Sequence, residues 1–354
     1  MSRLKKLLEA IGDKADGMII TSEVNQFYLT GFDFSDGNVL VTKEKSYLIT
    51  DFRYIEAAKK EANKEFEIII GKADTLKELI FENGVKRLLF EDTRTPYSTV
   101  EKLRSSNPDI QLIPGGTIIE GLREYKEECE IDCIIKAQRI AETALLQLTQ
   151  NGIDRNMTEK ELAAYLEYLM KKNGADGISF ATIAVSGRAS SLPHGVPRPV
   201  KLENGFLTID FGAVYKGYHS DMTRTYCLGR ADEEMKKVYN TVLEAQTKAI
   251  EAIFEGERSC VNIDKISREH IYSAGYEGCF GHGLGHGVGL EIHESPRLSP
   301  MAQKEKMLTE GHIVTVEPGI YIENKYGVRI EDMIYIGKNR VLNLTDMEKN
   351  LIEL

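Results

Sequence analysis

Residues 206–229 read FLTIDFGAVYKGYHSDMTRTYCLG. Two runs rich in apolar residues flank Lys216-Gly217, which reads as a β-hairpin turning at that pair. Side chains alternate along a strand, so Leu207, Ile209, Phe211 and Ala213 share one side, while Thr208, Asp210 and Gly212 share the other. With the turn centred on Lys216-Gly217, Asp221 pairs with Gly212 and lies diagonally from Asp210 on the polar face. Two carboxylates so close repel unless a proton or a cation separates them. Both could be solvated on an exposed sheet face, but an exposed hairpin has no need of Gly212 opposite a carboxylate.

A second hairpin repeats the theme. Glu317 ends the apolar run HIVTVE and is followed at once by Pro318-Gly319, which stops regular pairing. In GVRIEDM, Arg329 and Glu331 are two apart and face the same way. Whether that face meets Glu317 depends on the loop between the strands, and a bulge at Pro318-Gly319 would change the parity. Spacing leaves this open. Between the hairpins lies GCFGHGLGHGVGLEIHESP, with six glycines from Gly278 to Gly289. At that density His282 and His286 are not on a helix despite their i, i+4 spacing, and the backbone can approach a ligand closely. A single histidine is usually a packed or exposed residue with no special task. Three of them in one glycine-rich loop, His282, His286 and His293, point to a site, and His194 in SSLPHGVP adds a fourth candidate.

The 354 residues allow two domains, one of them above 200 residues. A formal net charge of −10 disfavours nucleic acid and anionic membrane surfaces as partners. No apolar run approaches the roughly 20 residues of a membrane span. The start, MSRLKKLLEAIGDK, reads as an amphipathic helix and not as a signal peptide. Five dispersed cysteines fit a reducing, cytoplasmic setting. Cys129 and Cys133 lack a second close pair, so packing is expected of them and not zinc.

From Lys14 to Pro114, strand patterns alternate with helical ones: Met18–Thr21, the pair Val39–Thr42 and Tyr47–Thr50, Phe66–Ile70, Arg87–Phe90 and Gln111–Ile113, with helices at Arg53–Asn63, Thr75–Asn83 and Ser98–Ser105. Pro114-Gly115-Gly116 breaks the pattern, giving domains of 1–118 and 119–354. Beyond it a long helix is expected up to Asn151-Gly152, then one opened by the capping box Thr158–Glu161, and two more over Asp232–Glu255 and Asn262–Ala274. The fold class is mixed α/β (α+β).

Asp210, Asp221, His286, Glu317 and Glu331 together make an oxygen-rich set with no thiolate. It suits two divalent ions, Mn(II) or Co(II) above all, with Zn(II) or Fe(II) also compatible. Paired ions supply an activated water and stabilise charge on an attacked carbonyl, so the implied reaction is hydrolysis.

At these residues the chain resembles the metallopeptidases of the pita-bread fold (M24), and within them the proline-specific branch of Xaa-Pro aminopeptidases and Xaa-Pro dipeptidases (prolidases). The matching motifs are DFGAVYKGYHSDMTRT, GHGLGHGVGLEIHESP, TVEPGIY and VRIEDM, within about 123–354; the N-terminal region looks like the smaller creatinase-like α/β domain of that branch. The resemblance implies that Asp210 chelates mainly one ion, that Asp221 and Glu331 bridge both, and that His286 and Glu317 complete the other. It places His194, His282 and His293 around the substrate, Arg329 behind a bridging carboxylate, and makes Glu317 the proton shuttle. It also implies short proline-containing peptides as substrates and a homodimer. The compact N-terminal domain favours the aminopeptidase over the dipeptidase. Methionine aminopeptidase generally lacks that domain and the segment around His194, and a non-catalytic binding protein would not need all five ligands.

Overall fold

The computed structural model describes residues 1–150 and 152–354. Two compact units divide the chain, Met1–Arg123 and Glu124–Leu354.

In the first unit, strands β1 (Gly17–Ile20), β2 (Gly37–Thr42), β3 (Ser46–Thr50), β4 (Glu67–Ile70), β5 (Arg87–Phe90) and β6 (Gln111–Pro114) form one sheet in the order β4-β3-β2-β1-β5-β6. β2 runs antiparallel to both its neighbours, and the other pairs are parallel. Helices α1 (Arg3–Ile11), α2 (Glu23–Thr30), α3 (Ile55–Glu61), α4 (Thr75–Glu82), α5 (Tyr97–Ser106) and α6 (Ile118–Arg123) complete it. Ile19, Leu40, Ile49, Leu79, Leu88 and Leu103 build its core. Alternating strand and helix patterns therefore stand where expected, but α2 and α6 were not foreseen. The inner face of α2 carries polar Asn25 and Gln26, both buried. Glu91, from the end of β5, accepts hydrogen bonds from the backbone of Thr21 and Ser22 at 2.6 and 2.9 Å and from Asn25 at 2.7 Å. A tertiary carboxylate thus satisfies the start of a helix that its own apolar pattern does not announce. Helix α6 packs on α1 and α2, so the units part a few residues beyond the Pro114-Gly115-Gly116 turn.

The second unit opens with α7 (Glu128–Thr149) and α8 (Glu159–Lys172), the latter started by the reciprocal Thr158/Glu161 cap. The expected stop of α7 at Asn151-Gly152 falls in part on Asn151, which lies outside the described residues. There follow β7 (Gly177–Ile178), β8 (Ile183–Ser186), β9 (Gly205–Phe211), β10 (Ala213–Tyr215), β11 (Tyr218–His219) and β12 (Met222–Leu228). After α9 (Glu233–Glu255) and α10 (Cys260–Ser273) come β13 (Gly285–Gly287), β14 (Glu294–Leu298), β15 (Ile313–Val316), β16 (Gly319–Ile322), β17 (Tyr326–Arg329), β18 (Asp332–Ile336) and β19 (Val341–Asn343).

The β9–β12 register pairs Phe211 with Met222 and Asp210 with Thr223, and β10–β11 pairs Val214 with His219. Asp221 thereby falls opposite Gly212, as a turn at Lys216-Gly217 requires. The apolar side of the hairpin, Leu207, Ile209, Phe211 and Ala213, packs with Ala141, Leu145 and Leu166 of α7 and α8. A second core joins α9 and α10 to β15 and β18 through Val242, Ala249, Ile263, Val314 and Ile334. The run from Val328 to Ile336 is divided between two strands: β17 pairs with β16 while β18 pairs with β15. Its break at Ile330-Glu331 turns the Glu331 amide to the Thr223 carbonyl at 3.1 Å, joining the two hairpins.

Candidate metal centre

Where the hairpins meet, their polar faces combine. Ligand atoms of Asp221, His286 and Glu331 lie within 4.8 Å of one another, all three residues buried. β15 and β18 pair Val316 with Asp332, so the next residues outward, Glu317 and Glu331, face each other across the break. The bulge at Pro318-Gly319 that would have reversed the parity is absent from this register, since Gly319 pairs with Arg329. Close strand approach at the site depends on Gly212, where an added Cβ would stand 1.9 Å from the Ser220 carbonyl oxygen.

The imidazole of His286 is oriented by its own strand. Its Nδ1 lies 3.0 Å from the Gly287 carbonyl, which can only accept, so Nδ1 carries the hydrogen. Nε2 then faces Glu317 at 3.3 Å and Asp221 at 3.6 Å. Between an imidazole lone pair and two carboxylates, either a proton or a cation must stand. Asp210 makes the same point: Oδ2 accepts from Arg329 Nη2 at 2.5 Å, while Oδ1 is buried with no hydrogen-bond partner.

Arg329 is the organiser behind the carboxylates. Besides Asp210, its guanidinium donates to Thr223 Oγ1 at 3.1 Å, to the Pro193 carbonyl at 3.1 Å and to Tyr321 Oη at 2.7 Å. Thr223 in turn donates to Glu331 at 2.7 Å. The Tyr321 hydroxyl also meets His282 Nε2 at 3.1 Å, and His282 Nδ1 lies 2.8 Å from the Gly283 carbonyl. These bonds set one direction: Arg329 donates to Tyr321, and Tyr321 donates to His282. His293 stands edge-on to His286 with ring centroids 4.4 Å apart. His194 is exposed, on a loop whose Pro193 carbonyl is the one that Arg329 holds.

Two buried carboxylates, Asp221 and Glu331, and two partly buried ones, Asp210 and Glu317, crowd around the Arg329 guanidinium. Burial raises Asp221 and Glu331 well above the ordinary carboxylate range, and neighbouring carboxylates push in the same direction; Asp210 is raised by burial against the pull of Arg329. Burial would raise Glu317 too, but the hydrogen bond and charge of His286 prevail and hold it at about 2. Burial lowers His282, and it lowers His293 to about 4, so both rings are neutral at pH 7. Divalent cations answer every one of these strains: the unpartnered Asp210 oxygen, the facing lone pair and the crowded charge. The donor set fits metal.

Strand parity would have revealed Tyr321, which the sequence reading missed. Glu317, Gly319 and Tyr321 alternate onto one face, as do Gly327, Arg329 and Glu331 opposite them, and Tyr321 pairs with Gly327. Thr223 was equally available as the partner of Asp210.

A mixed helix and sheet unit with a buried carboxylate and imidazole centre defines a metallohydrolase. The chain belongs to metallopeptidase family M24, whose model matches residues 132–338, while residues 1–125 match the creatinase/prolidase N-terminal domain. It is 39% identical over 353 residues to a Xaa-Pro dipeptidase of Pyrococcus horikoshii, covering 99% of this chain and 98% of that one. Its fold superposes on the Xaa-Pro dipeptidase of Bacillus anthracis with a TM-score of 0.94 at 37% identity, covering 99% of each chain. It likewise superposes on an X-Pro aminopeptidase of Thermotoga maritima with a TM-score of 0.90 at 35% identity, covering all of both chains.

Proposed function

We propose that this metallopeptidase hydrolyses the Xaa-Pro bond and releases the N-terminal residue from peptides with proline second. The observation that carries the reading is the junction of the two hairpins, where Asp210, Asp221, His286, Glu317 and Glu331 converge beside His282 and His293. Asp210 and Asp221 would hold one of two divalent ions and His286 with Glu317 the other, with Asp221 and Glu331 shared. Mn(II) is the proposed metal, and Co(II), Zn(II) or Fe(II) suit the same oxygen-rich set. When bound, such ions supply Lewis acidity to water and carbonyl.

The protein's own groups do the rest. Glu317 is the most accessible of three carboxylates compared, with 17% of its side chain exposed against 13% for Asp210 and 6% for Asp221. It accepts a proton from water and delivers it to the departing proline nitrogen, which must be protonated before it leaves. Neutral His293 donates a hydrogen bond to the carbonyl oxygen as charge develops there. The Arg329–Tyr321–His282 chain holds His282 toward the substrate, and exposed His194 contacts it from the rim. The second unit carries this chemistry, and the protein works as a cytoplasmic homodimer.

A second reading, a dipeptidase confined to Xaa-Pro, is favoured by the likeness to the Bacillus anthracis and Pyrococcus horikoshii dipeptidases. Assay of Xaa-Pro against Xaa-Pro-Xaa peptides decides between them. Release of the first residue from the longer peptides is expected, and cleavage of dipeptides alone would overturn the aminopeptidase reading.

A further inference from the structure

The first unit holds a cavity of about 370 Å³ at the carboxyl ends of three of its strands. β1, β3 and β4 run parallel to one another, and the residues just past their carboxyl ends, Thr21, Asp51 and Gly71-Lys72, line the space. Helices α4 and α5 wall it. In open α/β sheets the crevice beyond the carboxyl ends of the strands is where small molecules bind. The volume lies at the low end of the roughly 300–1,000 Å³ usual for such sites.

The lining states what would fit. Lys72, Lys77 and Lys102 come to it from the β4–α4 turn, from α4 and from α5, and none of them makes an ion pair among the described residues. Arg53 binds two of the three aspartates at the rim, Asp36 at 2.6 Å and Asp51 at 2.5 Å, so one positive charge is already shared between them. The three ammonium groups therefore outnumber the carboxylate charge left over there, which is that of Asp74 and of one of the Arg53-bound pair. The floor is apolar, formed by the core residues Ile19, Ile49 and Leu103. Three lysines along the lining above an apolar floor suit an anion with several acceptor oxygens joined to a flat or aliphatic body.

We propose that this cavity binds a small phosphate monoester, with Lys72, Lys77 and Lys102 holding the phosphate and the organic group resting on Ile19, Ile49 and Leu103. A carboxylate brings one charge to these lysines where a phosphate monoester brings two, so it binds more weakly. None of these residues belongs to the metal centre, and the binding is independent of peptide hydrolysis.

The test is titration calorimetry on the full chain with phenyl phosphate, benzoate and benzyl alcohol as probes. Phenyl phosphate is expected to bind with one site per chain, benzoate at least about tenfold more weakly, and benzyl alcohol without measurable heat. The variant Lys72→Ala/Lys77→Ala/Lys102→Ala should weaken phenyl phosphate at least about tenfold. A control with three exposed lysines replaced elsewhere, Lys5→Ala/Lys60→Ala/Lys171→Ala, should bind as the parent does. Peptide hydrolysis should be equal in all three proteins. Absence of saturable phenyl phosphate binding, equal affinity in the Lys72/Lys77/Lys102 variant, or tighter binding of benzoate would each overturn the proposal.

Discussion

Tyr321 shows how much one hydroxyl can arrange. It receives a hydrogen bond from Arg329 and gives one to His282, so it ties that histidine to the guanidinium that holds Asp210. Burial pushes its own ionisation up to about 12, which keeps the hydroxyl protonated and able to donate. Tyr321→Phe is therefore expected to lower turnover roughly tenfold, while metal content, read by elemental analysis, stays at the parent's level. Loss of metal in that variant would show that the hydroxyl supports the ligands and not His282. Glu124 offers a residue-level test of stability. Burial opposes its ionisation, but His312, the hydrogen-bonded Lys306 and Ser295 around it hold it at about 2 against an ordinary 4.5. The folded chain thus takes up this proton less readily than the unfolded chain. The stability it contributes is complete above pH 4.5 and is lost as pH falls from there towards 2. In Glu124→Gln the decline of unfolding free energy across that window should be shallower, and an unchanged slope would contradict the assignment.

At the level of strands, alternation and turn position carried the reading a long way. A turn at Lys216-Gly217 was enough to put Asp221 beside Gly212 and Asp210, because a hairpin of two-residue turn has one register and the apolar side already had a core to meet. The second hairpin was not legible in the same way. Its register is continuous from Ile313 to Tyr335 across two strand pairs, but the break at Pro318-Gly319 and at Ile330-Glu331 hides this from spacing alone. Helix α2 escaped because its inward face is polar and its start is satisfied by Glu91, some seventy residues away. Gly212 is the element-scale test. A methyl group there would sit 1.9 Å from the Ser220 carbonyl oxygen and 2.8 Å from Ser179 Oγ, so the strands must part. Gly212→Ala should cost at least about 2 kcal/mol in denaturant unfolding and reduce bound metal. Parent-like values for both would show that the hairpin tolerates separation.

The second unit is organised so that the metal centre is reinforced from behind. Asp332, next to Glu331, is buried and accepts from Arg224 at 2.8 Å, Lys349 at 2.8 Å and Asn343 at 2.8 Å. Arg224 also donates to the carbonyls of Thr223, Glu331, Met347 and Glu348, so one guanidinium joins both hairpins to the segment near Lys349. No local pattern could have announced that arrangement, since its partners are more than a hundred residues apart. What the five proposed ligand positions share is therefore a frame built by distant parts of one unit. The most direct measurement is metal content per chain after reconstitution with Mn(II), taken together with Xaa-Pro peptide hydrolysis, for the parent and for Asp221→Ala and Glu331→Ala. About two ions per chain and full turnover are expected for the parent, with metal reduced and hydrolysis abolished in both variants. A parent that hydrolyses peptides with less than one ion per chain, or full turnover in either variant, would contradict the dinuclear centre.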